Sequence, residues 1–337
     1  MIELRLGTRG SQLALWQAHT VASRLAAAGA PPCRIVVIKT SGDRLQEAPL
    51  AEVGGKRLFV KEIEDALLRN EIDLAVHSSK DMPAALPDGL GIAGALPRED
   101  PLDAVVLPVR LKADTTSSGV VFGSSRTLAT IDELAAALGR SPSIGTGSVR
   151  RIAQVTRLFP AAHFAPIRGN LDTRLRKLDE GGYDALVLAA AGLRRLGFAS
   201  RISLALPAAA CVPAPGQGIV AIEIREDDEA VRRAIAQIED GDAAAALAAE
   251  RAVVEALGGG CQTPIGALAS IDGDMLDLVG AVVALDGSKA VRGQLRGPRA
   301  TASDLGRRLG EQLLADGAGD ILDEARRAHA AVEGIQP

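Results

Sequence analysis

The sequence predicts an α/β protein that ends in a separate small α+β unit. Strand-like runs alternate with helical runs through the first two-thirds of the chain, the pattern of α/β units with mostly parallel sheets. The alternation restarts near residue 143, which suits a chain of 337 residues that is long for one ordinary domain. Beyond Ala243 the pattern changes to one Ala-rich helix, three strand-like runs and a last helix.

Ile2–Leu6 reads as a strand. Ser11–Ala28 reads as a helix with Ser11 as N-cap. Arg34–Lys39 is a β-branched strand. Leu58–Arg69 carries apolar Leu58, Ile63, Ala66 and Leu67 near helical spacing. Asp73–His77 is a short buried strand leading into the loop 78–83. Ile92–Ala95 and Ala104–Leu107 are further strands, and the Ser/Thr-rich stretch 111–119 reads as a mobile surface insertion. After the restart, Ser143–Gly145 leads to a helix from Ser148. His163–Ile167 is a strand, Asp172–Asp179 a helix and Ala185–Ala189 a strand. Ala243–Leu257 is a helix stopped by Gly258, Gly259 and Gly260. Turn signals at Asp272-Gly273 and Asp286-Gly287 separate the three last strands, and a helix covers about 302–315.

Composition narrows the function classes. Hydrophobic residues are 47% and charged residues 24%, an ordinary globular mixture. Aromatics are 2%, so the core is aliphatic. A net charge of -4 offers no basic footprint for nucleic acid. Cys33, Cys211 and Cys261 are an odd count without framework spacing, which argues against a disulfide scaffold. The first residues lack a signal-like apolar block, and Pro207, Pro213, Pro215, Gly216 and Gly218 interrupt the apolar stretch 202–222, so no membrane helix and a cytoplasmic location are expected.

Chemistry concentrates in six arginines and one cysteine, all in loop-like contexts. Arg9, Arg150, Arg151, Arg168, Arg174 and Arg195 stand near strand-to-helix junctions, and an arginine fork grips carboxylates bidentately. Arg9, Asp81, Arg150 and Arg168 fall just after predicted strands, where α/β sheets bind ligands. Taken singly, each residue has a plainer reading. Asp81 is a turn former, Arg150 and Arg151 are surface ion-pair residues on different helix faces, and His77 is buried at a strand end. Cys33 and Cys211 are packing residues, whereas the glycine-rich flank of Cys261 reads as an accessible thiol. No His/Cys/Asp cluster has metal spacing, and Gly145-Thr-Gly147 is no phosphate-binding loop of the Gly-Lys-Ser/Thr type. An anion-binding protein without catalysis would need the arginines but neither Asp81 nor a modified Cys261. A thiol acyltransferase would want a His beside Cys261, and none is near in sequence.

The segments taken together are more specific. Thr8–Ala18, Val53–Glu62, Ala75-Val-His-Ser-Ser-Lys-Asp-Met-Pro83 and Arg98–Pro101 resemble hydroxymethylbilane synthase, also called porphobilinogen deaminase. So do Gly145-Thr-Gly-Ser-Val-Arg-Arg151, Arg168-Gly-Asn170, Thr173–Leu175, Ala191–Gly197, Pro215-Gly-Gln-Gly218 and Gly259-Gly-Cys-Gln-Thr-Pro-Ile-Gly266. The resemblance implies two α/β domains similar to periplasmic binding proteins with a cleft between them, and a small C-terminal α+β domain. Their bounds would be 1–101 plus 217–238, then 102–212, then 241–337.

It also implies the reaction. Four porphobilinogens are joined head to tail with loss of ammonia, on a dipyrromethane cofactor held by a cysteine thioether, and hydroxymethylbilane is released. Cys261 matches the anchoring cysteine; a thiolate traps an electrophilic pyrrole and the thioether then holds a growing chain. Asp81 matches the catalytic aspartate, acting as general acid and as the carboxylate beside a developing cation. Lys80, Asp43, Ser11, Thr146, Ser148, Arg150 and Arg151 match cofactor-binding positions. Arg9, Lys56, Arg168, Arg174 and Arg195 match positions that bind the acetate and propionate groups of porphobilinogen. No metal, nucleic acid or membrane partner is implied, and a monomer is expected. Three departures stand out: Gly147 where Ser is common, Glu52 in place of a Lys, and the stretch 111–119 without a counterpart. Movement of the loop 42–55 is expected to accommodate chain growth.

Overall fold

The computed structural model describes residues 3–41, 60–109, 126–260 and 263–333. Asp43, Lys56, Cys261, the loop 42–55 with Glu52, and the stretch 111–119 lie outside the described residues.

Three sheets organise the chain. The first has the order β2-β1-β3-β10-β4, built from β1 (Leu4–Thr8), β2 (Cys33–Val37), β3 (Leu74–Ser78), β4 (Leu90–Ala95) and β10 (Val220–Arg225). The second has the order β7-β6-β8-β5-β9, from β5 (Asp103–Val106), β6 (Ser143–Gly145), β7 (His163–Ala165), β8 (Ala185–Ala189) and β9 (Leu204–Leu206). The third is a meander of β11 (Ile265–Asp272), β12 (Met275–Val283) and β13 (Ala290–Pro298), with Gly273 and Gly287 at positive φ in its turns.

Both five-stranded sheets are mixed, but four strands of each run in one direction, so the expectation of mostly parallel sheets holds with one opposed strand in each. β1 pairs in parallel with β2 and β3, and β6 with β7 and β8. β10 runs antiparallel between β3 and β4, and β5 antiparallel between β8 and β9. The cause is connectivity. The chain leaves the first sheet after β4, enters the second as β5, and returns from β9 to the first as β10. Each crossing strand arrives from the other unit, not through a helix on its own sheet, and so runs against its neighbours.

Helices cover both faces of the first two sheets. α1 (Gln12–Ala27) puts Ala18, Val21 and Leu25 onto Leu6, Leu74, Val76 and Ile222. α2 (Lys61–Leu68) packs Ile63, Ala66 and Leu67 on the opposite side with Ile72, Ala75 and Leu90. Fully burying each Leu or Ile contributes about 1.5–3 kcal/mol. The second sheet is enclosed by α3 (Ile131–Leu138) and α4 (Val149–Thr156) through Leu134 and Val155, and on the other side by α5 (Leu171–Lys177) and α6 (Ala190–Arg195) through Leu175 and Leu193. α7 (Glu229–Ile235) follows β10. The N-caps are sequence-local: Ser11, Thr130, Ser148, Asp228 and Asp240 each accept an N–H of the first turn.

The third sheet packs beneath α8 (Gly241–Ala256) and α9 (Ala302–Leu313), and α10 (Gly319–Glu333) follows them. Gly306 and Gly310 let α9 lie against α8, since a Cβ at Gly306 would sit 2.1 Å from the Ala249 carbonyl oxygen. Strands β9 and β10 and helices α3, α6, α7 and α10 were not foreseen from periodicity; the shortest of these pieces hold too few residues to show a period.

Candidate active site

β3 is buried along its length until Ser78, where a single 3-10 turn, Ser79–Asp81, opens the strand end. The turn is held by the Ser79 N–H donating to the Ile219 carbonyl (3.0 Å) and the Met82 N–H donating back to Ser79 (3.1 Å). Its residues divide between two hollows. Ser79 and Lys80 line a cleft of about 620 Å³ together with Ser148, Arg150, Pro215, Arg251, Gly260 and Thr263. Asp81 lines a second, of about 430 Å³, with Arg9, Ser11, Gln17, His77 and Ser78. The turn thus hands an ammonium to one space and a carboxylate to the other.

The wall between the two α/β units is a knot of charge around Asp103, at the start of β5. Arg150 donates to both of its carboxylate oxygens (2.6 and 3.1 Å), and Arg151 Nε donates to Oδ1 at 2.8 Å. Asp103 is fully buried, and the two guanidinium groups hold its carboxyl far below the ordinary carboxylate range despite desolvation. The plain reading of Arg150 and Arg151 as surface ion-pair residues is therefore corrected: they are 3% and 8% exposed, and both reach one carboxylate from adjacent helix positions. Arg150 also donates to the Val212 carbonyl (2.8 Å), and Arg151 to that of Val187 (3.1 Å). Cys211 sits in the same knot, its Sγ 3.3 Å from Asp103 Oδ2; burial and then that carboxylate push the thiol up to about 12, which suits a packing residue.

Gln217 completes the knot. Its amide nitrogen donates to the Pro101 carbonyl (2.7 Å) and Asp103 Oδ1 (3.0 Å), while its oxygen accepts from Arg151 Nη2 (3.2 Å) and Lys80 Nζ (3.4 Å). Lys80 is lowered to about 8, first by burial and then by the Arg151 charge, against the pull of Asp81 and Asp103. Thr146 is buried and accepts the Ser148 N–H at 3.3 Å. Ser11 and Ser148 each spend a lone pair on a helix N–H, which leaves their hydroxyl protons for a ligand acceptor.

The remaining arginines reach the site less directly. Arg174 Nε donates to the Gly169 carbonyl (2.8 Å); burial and then Arg151 lower its guanidinium, and Asp81 opposes them, so it feels both the arginine knot and the Asp81 carboxylate. Arg195 donates to the Gly218 carbonyl (2.7 Å) and stacks 5.4 Å above the Trp16 ring, joining α6 to α1. Arg168 follows β7, and its carbonyl accepts from Lys177 Nζ at 3.4 Å. Neither hollow is lined by Arg168, Arg174 or Arg195. His77 is buried and hydrogen-bonded to Glu223 at 3.0 Å, as a strand-end histidine was expected to be.

Sequence reasoning passed over Asp103, Ser79, Arg251 and the amide of Gln217. Gln217 lies inside a quoted motif, Pro215-Gly-Gln-Gly218, but its partners lie between 66 and 137 residues away on the N-terminal side. Asp103 carries no local signal beyond following the Arg98–Pro101 segment.

Two family models match the chain. The one described as "Porphobilinogen deaminase, dipyromethane cofactor binding domain" covers residues 4–233, and "Porphobilinogen deaminase, C-terminal domain" covers 244–315. The porphobilinogen deaminase of Geobacter metallireducens is 46% identical over 332 residues, spanning 98% of this chain and 97% of its own. That of Syntrophobacter fumaroxidans is 45% identical over 328 residues, spanning 96% and 98%. Among solved structures, an ancestral cationic amino acid solute-binding protein is similar over 70% of this chain and 88% of its own, at 14% identity and a TM-score of 0.40. With models and relatives agreeing along almost the whole length, the chain belongs to the porphobilinogen deaminase family.

Proposed function

We propose that the 620 Å³ cleft holds a dipyrromethane joined to Cys261, and that the hollow beside it receives porphobilinogen next to Asp81. The observation that carries this reading is that Gly260 and Thr263, the described residues on either side of the Cys261-Gln262 pair, both line the cleft shared by Lys80, Ser148 and Arg150. The family's activity is that of a transferase acting on porphobilinogen with a dipyrromethane cofactor. The wall suits such a group: Ser79 Oγ and Arg150 Nε are buried without a hydrogen-bond partner, and both belong to residues that line the cleft. Acetate and propionate carboxylates are the acceptors such donors lack.

When bound, the dipyrromethane supplies a primer onto which four porphobilinogens are added, and the finished tetrapyrrole is then cut free. The chain's own residues do the rest. Lys80, Ser148, Arg150 and Arg151, with Thr146 behind Ser148, hold the carboxylates of the cleft, and Asp43 serves the cofactor as an acceptor for its pyrrole N–H groups. Arg9 holds the incoming porphobilinogen, with Lys56, Arg168, Arg174 and Arg195 serving the lengthening chain; Ser11, matched to a cofactor-binding position, lines the Asp81 hollow with Arg9 and not the cleft, so it is reassigned to the substrate. Asp81 Oδ delivers a proton to the departing amine and then, as a carboxylate, stabilises the positive charge left on the methylene-pyrrole. The division 1–101 plus 217–238, 102–212 and 241–337 is supported by the three sheets. We also infer a cytoplasmic monomer without nucleic-acid or membrane partners. Among the described residues no helix is long and apolar enough to cross a membrane.

Intact mass of the purified protein tests the reading. An excess equal to two porphobilinogens less two ammonias, absent from Cys261→Ala, is expected. A native mass equal to the bare sequence, unchanged after addition of porphobilinogen, would defeat it. Asp81→Asn should keep that mass excess and lose ammonia release by about 10²-fold or more, measured with saturating porphobilinogen; near-normal turnover would remove Asp81 from its role.

A further inference from the structure

Gln217 lines neither of the two hollows, yet it is the point at which the Lys80 turn meets the arginine knot. Its side chain is fully buried and all of its polar capacity points at named groups. The amide nitrogen is tied to the Pro101 carbonyl, in the connection to the second sheet, and to Asp103 within that sheet. Its oxygen is shared between two cations of different origin, Lys80 from the first unit and Arg151 from the second. The backbone on either side of it is closely packed. Gly216 and Gly218 stand at φ 72° and 88°, and a Cβ on either would meet Ser79 Oγ at 2.4 Å or the Glu99 carbonyl oxygen at 2.2 Å. Two cations that repel one another are thus held to one neutral acceptor, itself fixed from behind.

We propose that Gln217 is a positioning residue for the reaction: it holds the Lys80 ammonium, in its charged form, at the wall of the cofactor cleft and couples its place there to the Asp103–Arg151 pair. This rests on the reading of that cleft given above. The physical sense is that Lys80 is otherwise poorly supported. The charged groups it feels are Arg151 and Arg150, which disfavour an ammonium, and Asp81 and Asp103, which favour it. Asp103 is already engaged by Arg150, Arg151 and Gln217, and Asp81 turns to the other hollow. The carboxamide oxygen is the one hydrogen-bond acceptor within reach of Nζ among the contacts described. Removing it favours the neutral amine, which holds a carboxylate far less firmly.

The test is the titration of Lys80 in the holoenzyme, followed by NMR of ¹³Cε-lysine-labelled protein. The chain has only seven lysines, and Lys80→Arg identifies the resonance. Without the cofactor Lys80 lies at about 8, and the carboxylates of the bound cofactor raise the parent's midpoint above that. Gln217→Met and Gln217→Leu, which remove the acceptor at similar bulk, should each lower the midpoint by about one pH unit. A residue that merely fills space would change thermal stability and leave that midpoint where it was. A parental midpoint in either folded variant overturns the proposal. So does failure of both variants to fold, which would make Gln217 a requirement of the fold itself. Intact mass on the same samples separates the two readings. Loss of the Cys261-dependent excess from the parent defeats the cofactor cleft, whereas an unmoved midpoint with the excess present defeats only the role of Gln217.

Discussion

Asp103 shows how much one buried carboxylate can carry. It receives hydrogen bonds from Arg150, Arg151 and Gln217, with the Cys211 thiol against it. Asp103→Asn leaves two buried guanidinium groups without their counter-charge and should cost about 3–5 kcal/mol at neutral pH, read by chemical denaturation. The pH dependence follows from the direction of its shift. The folded carboxyl ionises well below the unfolded one, so its contribution is complete above about pH 5 and is lost as pH falls below the unfolded value near 3.9. Melting curves of the parent and Asp103→Asn should therefore converge on acidification, and a gap that stayed constant from pH 7 to 3 would contradict the account. Arg150 and Arg151 illustrate the limit of residue-level statistics. Adjacent arginines on a helix start are usually solvent-exposed, and only the arrival of β5 beneath α4 gives both a shared partner.

At the scale of elements, three short pieces do most of the positioning. The Ser148 cap starts α4 so that its first turn carries both arginines toward β5. The turn Ser79–Asp81 splits a lysine and an aspartate between two hollows. The tight segment Gly216–Gly218 brings a glutamine amide between them. Its glycines are required by conformation as well as space, since an L side chain at φ 88° is strained and at Gly218 it also meets the Glu99 carbonyl. Gly218→Ala should accordingly destabilise by about 2 kcal/mol or more, seen as a lowered urea midpoint, and a neutral outcome would mean this segment yields easily.

For the whole molecule, the decisive joint is Glu250. Buried in α8, it accepts both Arg98 Nη atoms (2.6 and 3.2 Å), the Gly216 N–H (2.5 Å) and the Ala269 N–H (2.7 Å). Arg98 also donates to the Gln217 carbonyl (2.9 Å), so the third sheet, the crossing segment and the first unit meet at one ion pair. Contacts between the third sheet and the second unit are of another kind: Arg157 and Arg292 reach backbone carbonyls of Gly287, Ala208 and Ala209 from exposed positions. Glu250→Ala strands the Arg98 charge and two backbone donors, at about 3–5 kcal/mol. Hydrogen exchange should then quicken first in 216–219 and 267–269. Exchange that rose evenly over the whole chain would argue against a local joint.

The order and kind of the long elements were written in the sequence. β1, α1, β3, α8 and the β11–β13 meander follow from periodicity, caps and glycine stops, because those signals act within a few residues. The family, and with it the expectation for Asp81, Cys261 and the arginines, also came from linear motifs. Short-range chemistry could not reveal the mixed sheets, since strand direction is set by where the chain arrives from. Nor could it reveal that Asp103 binds both arginines, or that Gln217 links them to Lys80 across 137 residues of sequence. Those facts belong to tertiary structure alone, because a buried charge is stabilised only by partners that the whole fold brings within hydrogen-bonding distance.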